Sequence, residues 1–135
     1  MKRALSLMWL AVSTAALASA CGPTVYDIRG TREMPGVDGE IRVGDTGTNR
    51  MIEIELKHLP PPGRMASGAR YYAVWFRGPD RRAQLAGHLE YDEDDRTGSL
   101  RATTPLRRLR VVVTAESRPH PHGPSTEVVL RQRVR

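Results

Sequence analysis

Residues 51–59 read Met-Ile-Glu-Ile-Glu-Leu-Lys-His-Leu, with Ile52, Ile54 and Leu56 in one phase and Glu53, Glu55 and Lys57 in the other. A two-residue period belongs to a strand and not to a helix, so the two sets lie on opposite faces of a sheet, one dry and one wet. A chain built around such a segment must supply a second apolar layer to cover the dry face. Most of the remaining sequence does so. Val25 to Arg29 and Gly39 to Val43 read as strands, with a turn over 44–49. Pro60-Pro61-Pro62-Gly63 stops the alternating segment, because proline cannot donate to a ladder. Arg70 to Arg77 is apolar in both phases, as a central strand would be. Ala83 to Tyr91 alternates again, Asp92 to Gly98 turns, and Ser99 to Thr104 returns. Leu109, Val111, Val113 and Ala115 share a phase, Ser117 to Ser125 is a Pro- and His-rich connection, and Thr126 to Val134 is the last strand.

That is about eight short strands with turn signals every ~8–12 residues and no amphipathic helical stretch. Ten prolines and twelve glycines fit a turn-rich chain. The predicted fold is all-β: an immunoglobulin-like, Greek-key β-sandwich of about 7–8 antiparallel strands, with a small β-barrel as the alternative. Its predicted core is Ile52, Ile54, Leu56, Val74 or Trp75, Leu85, Leu89, Leu100, Val111, Val113, Val128 and Leu130. Of the aromatics at 71, 72, 75 and 76, one phase fills that core. The other presents an outward aromatic surface unless something covers it.

The only cysteine, Cys21, follows a basic start (Lys2, Arg3) and an apolar run from Ala4 to Leu17. The run has the length of a signal peptide and is too short to span a bilayer. Ala18-Ser19-Ala20 fits an ordinary A-x-A cleavage site. The segment Leu17-Ala18-Ser19-Ala20-Cys21 also resembles a lipobox, the motif of bacterial lipoproteins, although Ala18 stands where the family usually has Leu. That resemblance implies lipidation of Cys21 and a signal peptide over 1–20. A lipidated tether over 21–24 and a sandwich domain over 25–135 would follow. Without Asp after the cysteine, nothing resembles an inner-membrane retention signal. The expected location is the cell envelope, anchored by lipid in the outer membrane and facing the periplasm. With its one thiol at the lipid, the domain has no disulfide to lean on and depends on its packed core.

Net charge is +6 over the whole chain and +4 without residues 1–20, and 19 of the 21 basic residues are Arg. Genome composition accounts for such a bias, and so does selection for anion contacts, since Arg grips phosphate and carboxylate bidentately. Arginines at 101, 107, 108, 110, 131, 133 and 135 fall on late strands. If those strands are neighbours they form a basic stripe, with Arg108, Arg110, Arg131 and Arg133 as its anion-binding candidates. The targets available in an envelope are the phosphates of lipopolysaccharide, anionic headgroups, an anionic polymer or an envelope protein. Nucleic acid is not an expected partner there.

Catalytic signatures are lacking: no serine sits in a G-x-S-x-G context and there is no H-E-x-x-H or phosphate-cradling glycine loop. No enzyme activity, cofactor or metal is expected. The alternative is a metal-dependent enzyme using His120 and His122, whose i, i+2 spacing puts both rings on one side of an extended segment. It would need further ligands, from Glu116, His88 or His58. The acidic run Asp92-Glu93-Asp94-Asp95 lacks the spacing of a calcium loop and reads as a solvated turn.

One further resemblance covers about residues 54–131. Leu59-Pro60-Pro61-Pro62-Gly63, Tyr72-Ala73-Val74-Trp75, Gly87, Val113-Thr114-Ala115-Glu116 and Pro119 to Pro124 fall in an order similar to that of the C-terminal extracytoplasmic domain of anti-sigma-K factors. It implies a β-sandwich module and, as an alternative function, a signalling accessory. The chain has neither the sigma-binding segment nor the transmembrane helix of that family. It also resembles uncharacterised myxobacterial-type envelope lipoproteins. The leading expectation is a non-enzymatic, lipid-anchored envelope module that binds a protein or an anionic polymer.

Overall fold

The computed structural model describes residues 22–135, so the Cys21 lipidation site and the export segment lie outside the described residues. The alternating segments form nine strands: β1 (Thr24–Arg29), β2 (Asp38–Thr46), β3 (Asn49–Lys57), β4 (Tyr71–Arg77), β5 (Ala83–His88), β6 (Glu90–Asp92), β7 (Thr97–Thr104), β8 (Leu109–Glu116) and β9 (Val128–Val134). One short helix, α1 (Pro62–Met65), follows the proline run. β1 starts at Thr24, inside the stretch expected to be tether.

The strands make two antiparallel sheets, β1-β2-β3-β7-β6 and β5-β4-β8-β9. The chain crosses between sheets from β3 to β4, from β5 to β6 and from β7 to β8. That is the Greek-key connectivity of the immunoglobulin fold: β2-β3-β7-β6 take the places of one sheet and β4-β8-β9 those of the other. β5 extends the second sheet and β1 extends the first. The sandwich is open, not a closed barrel.

The dry faces meet as the sequence pattern requires. Ile41, Ile52, Ile54 and Leu56 from one sheet face Tyr72, Val74, Phe76, Val111, Val113 and Leu130 from the other, all at most 4% exposed. β2 and β3 join through a two-residue turn in which Gly47 has φ +69°, a conformation that favours glycine. The Tyr91 hydroxyl donates to the Leu59 carbonyl at 2.8 Å, and the Tyr72 hydroxyl donates to the Pro60 carbonyl. Their rings meet edge to face at 5.6 Å, which pins the proline turn to the end of the core. Burial pushes the Tyr72 phenol well above its ordinary pKa, so it remains a donor.

Two expectations about phase are corrected, and both fail for one reason. Leu85 and Val128 were predicted in the core but pack on the outer face of the β5-β4-β8-β9 sheet. The β4–β5 register shifts between Val74 and Trp75, and the β8–β9 register shifts between Val113 and Thr114. Each bulge inserts a residue, Ala86 in one case and Val129 in the other, and everything beyond it changes face. Val129 thereby enters the core at 0% exposure. Next to the first bulge, on the same strand, Gly87 sits at φ +155°, and a Cβ there would come within 3.2 Å of Leu100.

The single strand expected over Ala83–Tyr91 is in fact β5 and β6, which belong to different sheets. Between them Leu89 is buried at 6% exposure and donates its N–H to the Tyr72 carbonyl at 2.9 Å.

The outer face of the second sheet carries its own apolar cluster. Ala73, Trp75 and Val112 are buried there, with Ala83, Leu85 and Val128 packed around them. The outward aromatic surface raised by the sequence therefore does not form at Trp75, which is 2% exposed. Its indole N–H donates to Thr114 Oγ1 at 2.9 Å, and that hydroxyl donates to Glu116 Oε1 at 2.6 Å. Ser125 N–H donates to the same Glu116 oxygen at 2.8 Å, tying the end of the Pro- and His-rich connection back to β8.

Candidate functional site

Beside that cluster, β4, β8 and β9 each place an arginine on the same outer face. Arg77 is the direct cross-strand partner of Arg110, and Arg110 is the direct partner of Arg133. Side chains two residues apart share a face, so this row lies next to the Trp75–Val112 row. At this end of the sheet the β4–β5 turn and the ends of β8 and β9 enclose an open cleft of about 570 Å³. Six arginines line it: Arg77, Arg81, Arg108, Arg110, Arg133 and Arg135. Leu109 and Val134, both nearly fully buried, belong to its floor. No Asp, Glu, Ser, Thr, Cys or His lines it.

Among the described residues, none of these six arginines is ion-paired. The nearby Arg107, by contrast, pairs with Asp45 at 2.9 Å. Arg50 donates to the backbone carbonyls of Arg107 and Arg135. Arg77 Nε is buried and has no hydrogen-bond partner. A buried donor left without an acceptor is unfavourable, and a cluster of unpaired guanidiniums repels itself. An anion entering the cleft would relieve both.

Of the four anion-binding candidates named from the sequence, Arg108, Arg110 and Arg133 line the cleft and Arg131 does not. Arg131 shares the outer face but lies close enough to Glu33 to interact with it. The Glu33 carboxyl is held below the usual range by a backbone hydrogen bond and by the Thr31 hydroxyl, with Arg131 adding a smaller pull. Arg101 does not join the stripe, because β7 belongs to the other sheet and Arg101 pairs with Glu53. Arg77 and Arg81 were not singled out in the sequence. Arg77 is in phase with Trp75, yet only the β4–β8 register shows that it meets Arg110.

His88 stacks near Tyr71 (centroids 5.3 Å) and lies 6.4 Å from His120. Glu116 is engaged by Thr114 and Ser125, and His58 contacts Asp38 at 2.5 Å. Among the described residues no group of three or more His, Cys, Asp or Glu converges. The acidic run forms the β6–β7 turn, where Asp92 accepts the Asp95 N–H at 3.0 Å. Among the described residues no helix is long and apolar enough to cross a membrane.

No family model matches the chain, and neither does any curated protein sequence or solved structure.

Proposed function

We propose that the chain is a non-enzymatic binding module of the bacterial cell envelope, lipid-anchored at Cys21, that holds an anionic polymer or the anionic surface of an envelope protein in its arginine cleft. The observation that carries this reading is the Arg77–Arg110–Arg133 row. Like charges directly opposite on neighbouring strands are destabilising. On the other sheet Arg42–Glu53–Arg101 alternates in sign, and the like-charge row Asp27–Glu40–Glu55 is relieved by the Arg42–Glu40 ion pair. An arginine-rich genome accounts for Arg in place of Lys, but not for a cleft lined by six arginines and no acidic side chain. The lining also offers no nucleophile and no acid–base pair, which favours binding over catalysis.

The test combines fractionation with vesicle binding. Cys21→Ser moves the protein from the membrane fraction to the soluble fraction if the anchor reading is right. In that background the protein binds vesicles containing anionic lipid. Changing Arg77, Arg110 and Arg133 together to Gln weakens this binding by roughly tenfold or more, the scale of one or two charge-assisted contacts. Added salt weakens the parent's binding, since screening shortens to ~8 Å at physiological ionic strength. Equal, salt-insensitive binding by parent and variant refutes the cleft as the site.

A further inference from the structure

At the end of the same outer face away from the arginine cleft, we infer that His88 and His120 hold a divalent transition-metal ion, Cu²⁺ above Zn²⁺. The site is independent of the cleft and of the function proposed for it. It starts from the bulge in β5. Leu85 packs on the outer face, so unbroken alternation would carry His88 into the core. The inserted Ala86 reverses that phase. Gly87 then faces inward, where a Cβ would meet Leu100, and His88 stands outward as the cross-strand partner of Ala73. Bulges re-aim side chains in this way beside functional sites.

The re-aimed ring has an unused nitrogen. His88 Nε2 is buried and has no hydrogen-bond partner. Buried polar atoms in that state are rare, and an ion that belongs at the position is one physical reason for them. Tyr71, from the start of β4, packs beside the ring with centroids 5.3 Å apart and planes tilted by 32°. His120 approaches from the β8–β9 connection, its ring centroid 6.4 Å from that of His88 and its plane inclined by 44°. The rings are near enough for one ion to join them with local adjustment of the exposed segment that carries His120, since each metal–nitrogen bond spans ~2.0–2.1 Å. The far end of that connection is tied down: Ser125 donates its N–H to Glu116 Oε1 at 2.8 Å and its hydroxyl to the Ala115 carbonyl at 2.9 Å.

The donor chemistry selects the ion. Neutral imidazole suits Zn²⁺, Cu²⁺ and Ni²⁺, whereas Mg²⁺ and Ca²⁺ take oxygen ligands. At a given nitrogen site Cu²⁺ binds most tightly of the divalent first-row ions. Glu116 Oε1 is occupied by Thr114 and Ser125, and His58 is engaged by Asp38. Among the described residues no third His, Cys, Asp or Glu joins the pair. The ion's remaining positions therefore fall to water or to an incoming ligand, as at an open site.

Titration of the purified, untagged Cys21→Ser protein with Cu²⁺, Zn²⁺ and Mg²⁺ tests the inference, since the substitution removes the one thiol that would compete. The protein should bind one Cu²⁺ per chain, more tightly than Zn²⁺, and should not take up Mg²⁺. His88→Ala and His120→Ala should each weaken Cu²⁺ binding by roughly tenfold or more. His58→Ala, which removes the partner of Asp38, should leave it unchanged.

Electron paramagnetic resonance of the bound Cu²⁺ should show two imidazole nitrogens in the parent and one in each variant, a signature that a loss of stability would not produce. Unchanged anion binding by the arginine cleft serves as the check that both variants are folded. Three results overturn the inference: no stoichiometric Cu²⁺ uptake by the parent, uptake unaffected by His88→Ala, or a loss in His122→Ala equal to that in His120→Ala with none in His88→Ala. The last would mean that the histidines of the connection chelate the ion without the sheet. None of these results bears on the anion binding proposed for the cleft.

Discussion

The outer faces of the two sheets are made by the same alternation, yet they carry opposite arrangements. On the five-stranded sheet, Arg42, Glu53 and Arg101 stand side by side on β2, β3 and β7, and Arg101 is ion-paired with Glu53. Nearby, Arg42 also bridges to Glu40. One row along, Asp27, Glu40 and Glu55 stand side by side as like charges, relieved at Glu40 by the Arg42 bridge, and such exposed pairs put little stability at stake. On the four-stranded sheet, Arg77, Arg110 and Arg133 stand side by side with no carboxylate between them, next to a buried tryptophan. On the first face Arg42 and Arg101 are each ion-paired, and among the described residues no arginine of the second row is.

Three comparisons between variants break or sharpen that contrast. The largest effect is expected at Trp75. Although it points away from the main core, it is 2% exposed, so Trp75→Ala should destabilise the domain by about 3–5 kcal/mol. Removing Glu53, on the corresponding surface of the other sheet, should cost no more than ~1 kcal/mol. Chemical denaturation measures both. Equal small losses would mean that the Trp75 cluster is only surface decoration.

A smaller effect of opposite sign on the two faces follows from exchanging their charge patterns. Arg110→Glu converts the repelling row into an alternating one. It should stabilise the domain by about 0.2–1 kcal/mol for each new cross-strand pair while abolishing anion binding. Glu53→Arg performs the reverse exchange and should destabilise by a similar amount with no effect on binding. If Arg110→Glu destabilises the protein in the absence of ligand, the row is not a source of repulsion.

The smallest effect concerns pH. Asp38 has its carboxyl held below the ordinary 3.8, first by the hydrogen bond with His58 and then by the charges of His58 and Lys57. A depressed carboxylate contributes stability that is present above its unfolded-state pKa and is lost as pH falls through the folded-state value. The pair is fully exposed to solvent and the contribution is correspondingly slight. The parent should melt marginally higher than Asp38→Asn above about pH 4, where Asp38 is ionised in both states, and the difference should vanish as pH falls through the depressed folded-state value. An identical pH profile for the two proteins would mean that the His58–Asp38 contact contributes nothing.

How much of this was legible in the sequence can be seen residue by residue. Ile52, Ile54 and Leu56 were assigned to the core from alternation alone, and they are at most 1% exposed. Proline punctuation gave the end of β3, and the turn residues gave most strand boundaries. Leu85 and Val128 were misassigned because one inserted residue reverses a strand's phase, and a bulge has no reliable local signature. The cleft was half visible: Arg108, Arg110 and Arg133 were named, Arg77 and Arg81 were missed, Arg131 shares the face but lies outside the cleft, and Arg101 stands on the other sheet. No rule of local spacing says that β7 leaves for the other sheet while β4, β8 and β9 stay together.

The sequence by itself determined that this chain is all-β, layered and dependent on a packed core, because a two-residue period is a property of the extended backbone and needs no partner to express it. It also determined which positions along each strand carry charge. Only the tertiary structure decided that three of those charges meet. The identity and register of neighbouring strands are set by contacts between residues far apart in the chain, 33 positions for Arg77 with Arg110 and 23 for Arg110 with Arg133. Such pairings are selected by the burial of both sheets together, and the free energy that selects them is a property of the whole sandwich.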